Sequence, residues 1–359
     1  MKYRSLTYIG AFGGKVENGQ TMFSKNFINS LRKLDIEICS INSQTFNPTD
    51  GTRKSSFNLS LISKFIKFFF RVLSSKKTDI AIVSLSLSET SIYKFFPILV
   101  LLKIRGIKSF VMMHDGSPTN HIKKYNSITK IIFNLIFKHI VHGSLVLGKS
   151  QKKEWKKIFP ALETKEIYGA REDPRVPVKT NKIRLTYISH FFESKGQHDL
   201  LKVWDKVDAK HKKVFNLTLA GGNQDSSYLE QILADKREGL EIIVSPSYSE
   251  IQNILSETEI FLMPSTYDFE AQPAVLIEAM SYRIPIIAYD WAGIPDLVNN
   301  KNGTLIEPKN IDEFACVLES YLNDEQLRKK KSLESYDYFL KEYDLKKWHE
   351  KLKIILESI

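Results

Sequence analysis

Apolar residues along this chain follow two alternating spacings. Short β-branched runs read as strands, and the longer segments between them place apolar residues three or four apart, as helices do. In the first half, the runs LTYIGAF (6–12), IEICSIN (36–42), DIAIVSLS (79–86), KSFVMMHD (108–115) and SLVLGKS (144–150) predict strands. Helices are predicted over Thr21–Leu34, over LSLISKFIKFFFRVL (59–73), over YKFFPILVLLKIRG (93–106) with a break near Pro97, and over 127–140. The second half repeats the alternation. Strands are expected at 184–191, 216–222, 240–246, 259–265 and 284–290, and helices at 196–207, 227–236, 248–258, 273–282 and 310–322. Ser249 and Asn310 stand as helix caps, and a final amphipathic helix runs from Leu345 to Ser358. Strand–helix alternation in both halves predicts two doubly wound α/β domains, with the carboxyl ends of their parallel strands at a shared cleft. The Pro- and charge-rich stretch 172–182 is the linker candidate.

Bulk properties narrow the class. A chain of 359 residues exceeds one ordinary core. Cys39 and Cys316 are its only cysteines and stand far apart, which argues for a reducing compartment and against a disulfide framework. The first residues read as a strand, not as a secretion signal, and no apolar run reaches the length of a membrane span. The net charge of +11 is uneven: residues 1–178 hold 29 Lys+Arg against 12 Asp+Glu, and the remainder 23 against 29. The first half is therefore expected to meet something anionic, whether nucleic acid, a membrane surface or a phosphorylated substrate. No recognised nucleic-acid motif accompanies the charge, so that partner is set aside. LISKFIKFFFRVLSSKK (61–77) mixes Phe with Lys and Arg. It reads either as a helix lying on an anionic leaflet or as a core helix with solvated lysines.

The candidate chemistry lies in YDFEAQPAVLIEAMSYRIPIIAYD (267–290). Pro273 suits a helix start, which leaves Glu270 in the loop ahead and Glu278 inside the first turns. Helix N-termini present free N–H groups and bind anions. One arrangement accommodates both carboxylates: a diphosphate at the helix start, with Glu270 on one side of it and Glu278 reaching hydroxyls on the other. Taken alone, the pair reads more simply as solvated carboxylates. No two aspartates stand two apart, and no Cys/His set has metal-ligand spacing, so no metal is expected.

The surrounding residues resemble glycosyltransferase family 4, the retaining nucleotide-sugar transferases of GT-B fold. The resemblance rests on LTYISHFFESKGQHDLL (185–201), LTLAGG (217–222), ETEIFLMPSTYDFEAQPAVLIEAMSYRIPIIAYDWAGIPDLV (257–298) and NGTLIEPKNIDEFACVL (302–318). It covers roughly 183–335. It implies a GT-B architecture: an acceptor-binding domain over 1–172, a nucleotide-sugar domain over 183–335, and residues 336–359 returning to the first domain. In that pattern Lys195 contacts the donor diphosphate, Glu270 faces the donor sugar, Glu278 binds the ribose, and the backbone of Gln272, Ala274 and Val275 meets the diphosphate. His190 stands where the family often has arginine. Gly13 and Gly14 match a loop that approaches the phosphate or the acceptor, and His114 matches a histidine near the transferred sugar, with a structural histidine as the other reading. Trp291 is read as packing. The implied reaction moves a sugar, from a UDP-sugar by preference, to a glycan acceptor carried on a polyprenyl diphosphate in bacterial surface polysaccharide assembly (lipopolysaccharide, O-antigen or capsule). The nucleotide sugar is a co-substrate, with no further cofactor. The location implied is cytoplasmic, at the inner face of the plasma membrane. A nucleotide-sugar epimerase or a catalytically silent protein on the same scaffold are the alternatives.

Overall fold

A computed structural model describes residues 3–12, 19–43, 59–175 and 183–359, with the side chains of 59–61 left out. Gly13 and Gly14, and most of the 172–182 linker candidate, lie outside the described residues. The chain divides into two compact units, one of residues 1–170 with 345–359 and the other of residues 171–344.

The first unit is built on a six-stranded parallel sheet. Its strands are β1 (Ser5–Gly10), β2 (Glu37–Asn42), β3 (Ile80–Leu85), β4 (Lys108–Met113), β5 (Gly143–Val146) and β6 (Glu163–Glu166), in the order β2-β1-β3-β4-β5-β6. Every residue of β3 is buried, as a parallel strand covered on both faces requires. Side chains alternate between those faces. Ile9, Val83 and Val111 enter one core with α2 (Leu59–Leu73), α3 (Glu89–Ile104) and α5 (Ser127–Leu135). Tyr8, one position along, meets Phe27 of α1 (Gly19–Lys33) with ring centroids 5.3 Å apart. Trp348 of α14 (Leu345–Glu357) packs edge-on to Phe23 and Phe27 of that same helix. The last helix thus belongs to the first unit, and its Nε1 donates to the carbonyl of Tyr168.

The second unit holds β7 (Arg184–Ile188), β8 (Asn216–Gly221), β9 (Leu240–Val244), β10 (Thr258–Met263), β11 (Ile286–Tyr289) and β12 (Gly303–Ile306). All are parallel, in the order β12-β11-β10-β7-β8-β9. Numbered within the unit this is 3-2-1-4-5-6, the Rossmann order, whose direction of winding reverses between β7 and β10.

Three expectations are corrected. α3 runs unbroken through Pro97. Pro97 lies four residues after Tyr93, on the side of α3 where Tyr93 is exposed, so water can serve the carbonyl that the missing N–H leaves unbonded. The cap of α10 (Tyr248–Ser256) is Ser247, not Ser249. Ser247 Oγ accepts from Glu250 N at 3.3 Å, and Glu250 returns the bond to Ser247 N at 2.7 Å, a reciprocal pair two residues earlier than the apolar run suggests. The helical stretch 127–140 ends in a π turn over Ile136–Ile140. The short polar β6, the four-residue β12, and the helices α4 (Pro118–Lys124), α6 (Lys149–Ile158) and α13 (Glu325–Glu342) carried no clear apolar period and went unread.

Candidate active site

The two strands at the switch point, β7 and β10, end at Ile188 and Met263, and the loops beyond them carry the candidate residues of the second unit. Lys195 ends a 3₁₀ turn (Glu193–Lys195) after β7. Its Nζ forms an ion pair with Glu270 Oε1 from the loop after β10. The side chains are 12% and 10% exposed, so each charge depends on the other for solvation. Ser265, fully buried, donates to the same Glu270 oxygen at 2.9 Å. Lys195 also lies over the Tyr267 ring at 4.5 Å, and Tyr267 meets Phe192 edge-on. A buried tyrosine beneath, Tyr187, has its phenol held well above the ordinary range, by burial first and by the Glu270 charge second.

Close backbone approach makes this cluster possible. Gly196 has φ +79°, and a Cβ there would lie 2.2 Å from the Pro264 carbonyl. Glycine therefore lets the loop after β7 press against the loop after β10. Gly293, in the loop after β11, donates its N–H to the Glu270 carbonyl at 3.0 Å, and a Cβ there would sit 1.9 Å from the Ala271 oxygen. Three loops are thereby fixed around one carboxylate.

α11 (Ala274–Ser281) starts directly after Pro273, which occupies the cap position without a side-chain bond. The helix thus opens without a side-chain acceptor for its first amides, those of Ala274 and Val275, which suits them to an external anion. Gln272 precedes them in the same loop. Glu278, one turn in, accepts from Arg171 Nε at 2.8 Å. Arg171 is buried, and no periodicity or motif singled it out. Its backbone N–H is tied to the Tyr343 carbonyl at 3.0 Å. Sequence reasoning also passed over Ser265, although the Pro-Ser pair after β10 was a signal for it.

His190 lies at the mouth of the β7 loop, exposed, with its ring against Gly222. Desolvation lowers its pKa and Lys195 lowers it further, so the imidazole is neutral at pH 7. In the first unit, His114 follows β4 directly. Its ring lies edge-on to Phe23 at 5.2 Å, and its Nε2 has no hydrogen-bond partner among the described residues. Burial brings its pKa down to about 4, against the smaller opposing pull of Asp115. Asp115 does not orient His114 by a hydrogen bond: its carboxylate accepts from Leu87 N and joins the loops after β3 and β4. Trp291 is half-buried in the loop after β11. Among the described residues no group of three His, Cys, Asp or Glu is placed to hold a metal ion.

Comparison with known proteins bears directly on the second unit. Residues 170–337 match the family model described as glycosyl transferases group 1. An uncharacterized glycosyltransferase of Haemophilus influenzae is 29% identical over 208 residues, which are 54% of this chain and 56% of that protein. The amylovoran biosynthesis glycosyltransferase AmsD of Erwinia amylovora is 33% identical over 172 residues, 46% of this chain and 45% of that one. The chain therefore spans about half the length of these curated relatives. Among solved structures, Alr3699/HepE of Anabaena in complex with UDP and glucose superposes with a TM-score of 0.72, covering 99% of this chain and 100% of that one at 14% identity. At that identity the match establishes the GT-B fold.

Proposed function

We propose, from the match of residues 170–337 to the group 1 glycosyl transferases, that the chain transfers a sugar, with retention, from a nucleoside diphosphate sugar to a growing glycan. The observation that carries the reading is the Lys195–Glu270 pair beside the uncapped start of α11, at the switch point of a Rossmann-ordered sheet. The donor diphosphate lies across the Ala274 and Val275 amides and takes Lys195 Nζ as its counter-ion. Glu270, released from Lys195, faces the sugar, while Glu278 holds ribose hydroxyls in an orientation that Arg171 fixes. Negative charge grows on the diphosphate as the anomeric C–O bond breaks, and the lysine and the fixed dipoles are already aimed at it. The acceptor hydroxyl oxygen attacks from the face that the leaving group vacates and passes its proton to the departing diphosphate oxygen. A UDP-sugar is the preferred donor, supported by the UDP held in the Anabaena relative. A surface polysaccharide intermediate on a polyprenyl diphosphate is the preferred acceptor, supported by the amylovoran relative. Transfer without a metal and a peripheral place at the inner membrane face complete the reading.

The test is nucleotide release from UDP-, GDP-, ADP- and TDP-sugars by wild type and Glu270→Ala, in the presence of EDTA, followed by NMR assignment of the product anomer. Release of one nucleotide, lost in the variant, and a product of unchanged anomeric configuration support the proposal. An inverted product overturns the retaining step. His190, standing where arginine is usual, favours a silent relative as the second reading, and binding of no nucleotide sugar at all would establish it.

A further inference from the structure

The three helices on one face of the first sheet bury one stripe and leave another apolar stripe outside. On α5, Ile128, Ile131 and Leu135 are exposed, the first two at 64% and 60%. On α3, Tyr93 and Ile104 are exposed, the latter at 78%, and Phe96, Pro97 and Val100 are only partly covered between them. On α2, Ile62, Ile66, Phe70 and Leu73 are exposed. The helices lie side by side and run the same way. Tyr93 OH bonds Thr129 Oγ1 at 2.7 Å near the starts of α3 and α5, and Lys103 Nζ reaches the His139 carbonyl near their ends. Arg105, just past α3, bonds the Val72 carbonyl near the end of α2 at 2.8 Å. Leu73 and Ile104 thus share one end of a helical layer that leaves apolar side chains exposed, although the core it covers is already closed on its inner side.

The charge on this layer is positive apart from Glu89. α2 carries Lys64, Lys67 and Arg71, α3 ends with Lys103, and Lys130 and Lys138 flank the α5 stripe. No acidic residue occurs on α2 or α5, or in the π turn after α5. Glu89, at the start of α3, is engaged by Asn126 N at 2.8 Å. A second copy of this chain would bring like charges together across a two-fold interface, which disfavours self-association. Exposed apolar side chains interspersed with lysines match an anionic bilayer, which accepts the apolar groups below its headgroups and the lysines among them.

We propose that the outer face of α2, α3 and α5 docks the protein on an anionic lipid leaflet, with Ile104, Ile128 and Ile131 as its most deeply inserted groups. This gives the membrane-peripheral part of the proposed function a surface, and it moves the weight from α2 alone to the α3–α5 pair. Its test reads binding and not transfer, so a failure of the transferase reading leaves it standing, and the reverse also holds.

The full chain is floated with vesicles of phosphatidylcholine containing phosphatidylglycerol, and with phosphatidylcholine alone. Wild type is expected to bind the anionic vesicles at least about tenfold more tightly than the neutral ones. The triple variant Ile104→Ser/Ile128→Ser/Ile131→Ser is expected to lose about tenfold in binding with its thermal unfolding unchanged, because these side chains support no core. Lys130→Glu/Lys138→Glu is expected to lose binding in low salt and to lose less in high salt. Equal binding to both vesicle types, or a triple variant that binds as wild type does, overturns the proposal. So does a wild-type dimer in sedimentation that the triple variant abolishes, since the face would then cover a second copy or another protein.

Discussion

The two units use the same architecture, but only the second holds ion pairs at low exposure among the described residues. In the second, beside exposed pairs such as Lys206–Asp312 and Lys329–Glu325, three pairs sit at low exposure: Lys195 with Glu270, Arg171 with Glu278, and Arg328 with Glu259. In the first, Lys76–Glu37 and Lys165–Glu163 are open to solvent and Lys152–Glu166 is half-buried. Most of that unit's lysines line helix surfaces, as in the five (Lys149, Lys152, Lys153, Lys156 and Lys157) of α6. A buried pair holds its partners in one geometry, because either charge left alone in a low dielectric is costly. Exposed lysines hold no geometry and create a field. The buried pairs of the second unit thus fix side chains in place, and the exposed lysines of the first spread positive charge over its surface.

If that contrast is right, the largest effects come from splitting a pair in the second unit. Glu270→Gln is expected to lower sugar transfer by about 10²–10³-fold and to destabilise the unit by about 3 kcal/mol, because Lys195 is left unpaired. Lys195→Met/Glu270→Gln should regain most of the stability and none of the activity. Urea unfolding and initial rates check this, and a double variant no more stable than the single would break the account. Next in size is Gly196→Ala, expected to cost about 3 kcal/mol from a left-handed backbone and the clash with the Pro264 carbonyl. Its donor affinity should fall as well, since the loops after β7 and β10 must part; calorimetric titration with the nucleotide reads it.

A third effect lies in the first unit. The unfolded imidazole of His114 takes a proton near pH 6.5 and the folded one only near pH 4. The unfolded state thus binds more protons between those values. Stability is expected to fall by about 3 kcal/mol as pH drops through that window, and to be unaffected by this group above it. Unfolding of wild type and His114→Asn at pH 7.5 and 4.5 checks the sign; a variant with the same pH loss would remove His114 as its source. The smallest effect is expected at Lys76→Ala, where breaking an exposed pair should shift stability by less than about 0.5 kcal/mol. A larger shift would erase the contrast between the units.

Much of this organisation was legible along the chain. Alternating apolar spacings yielded two α/β halves, because buried parallel strands and amphipathic helices leave opposite periods in sequence. The loop position of Glu270 and the start of α11 followed from Pro273. Asn310 was readable as a cap and is one, its side chain accepting from Glu313 N. The unbroken α3 was not legible, since whether proline ends a helix depends on what its free carbonyl meets. Neither was β6, whose Glu-Thr-Lys-Glu sequence pairs only at a sheet edge.

By itself, then, the sequence determined the repeated strand–helix pattern, the uneven charge and the loops that bear the candidate carboxylates, because these depend on neighbours a few residues apart. Tertiary structure alone decided the partners. Lys195 and Glu270 are 75 positions apart, and Arg171 and Glu278 are 107. Lys195 and Glu270 meet only because strand order brings β7 beside β10 and glycine lets their loops touch. The apolar stripes of α2, α3 and α5 are local in origin, but only packing distinguishes the stripe that enters the core from the one left facing out.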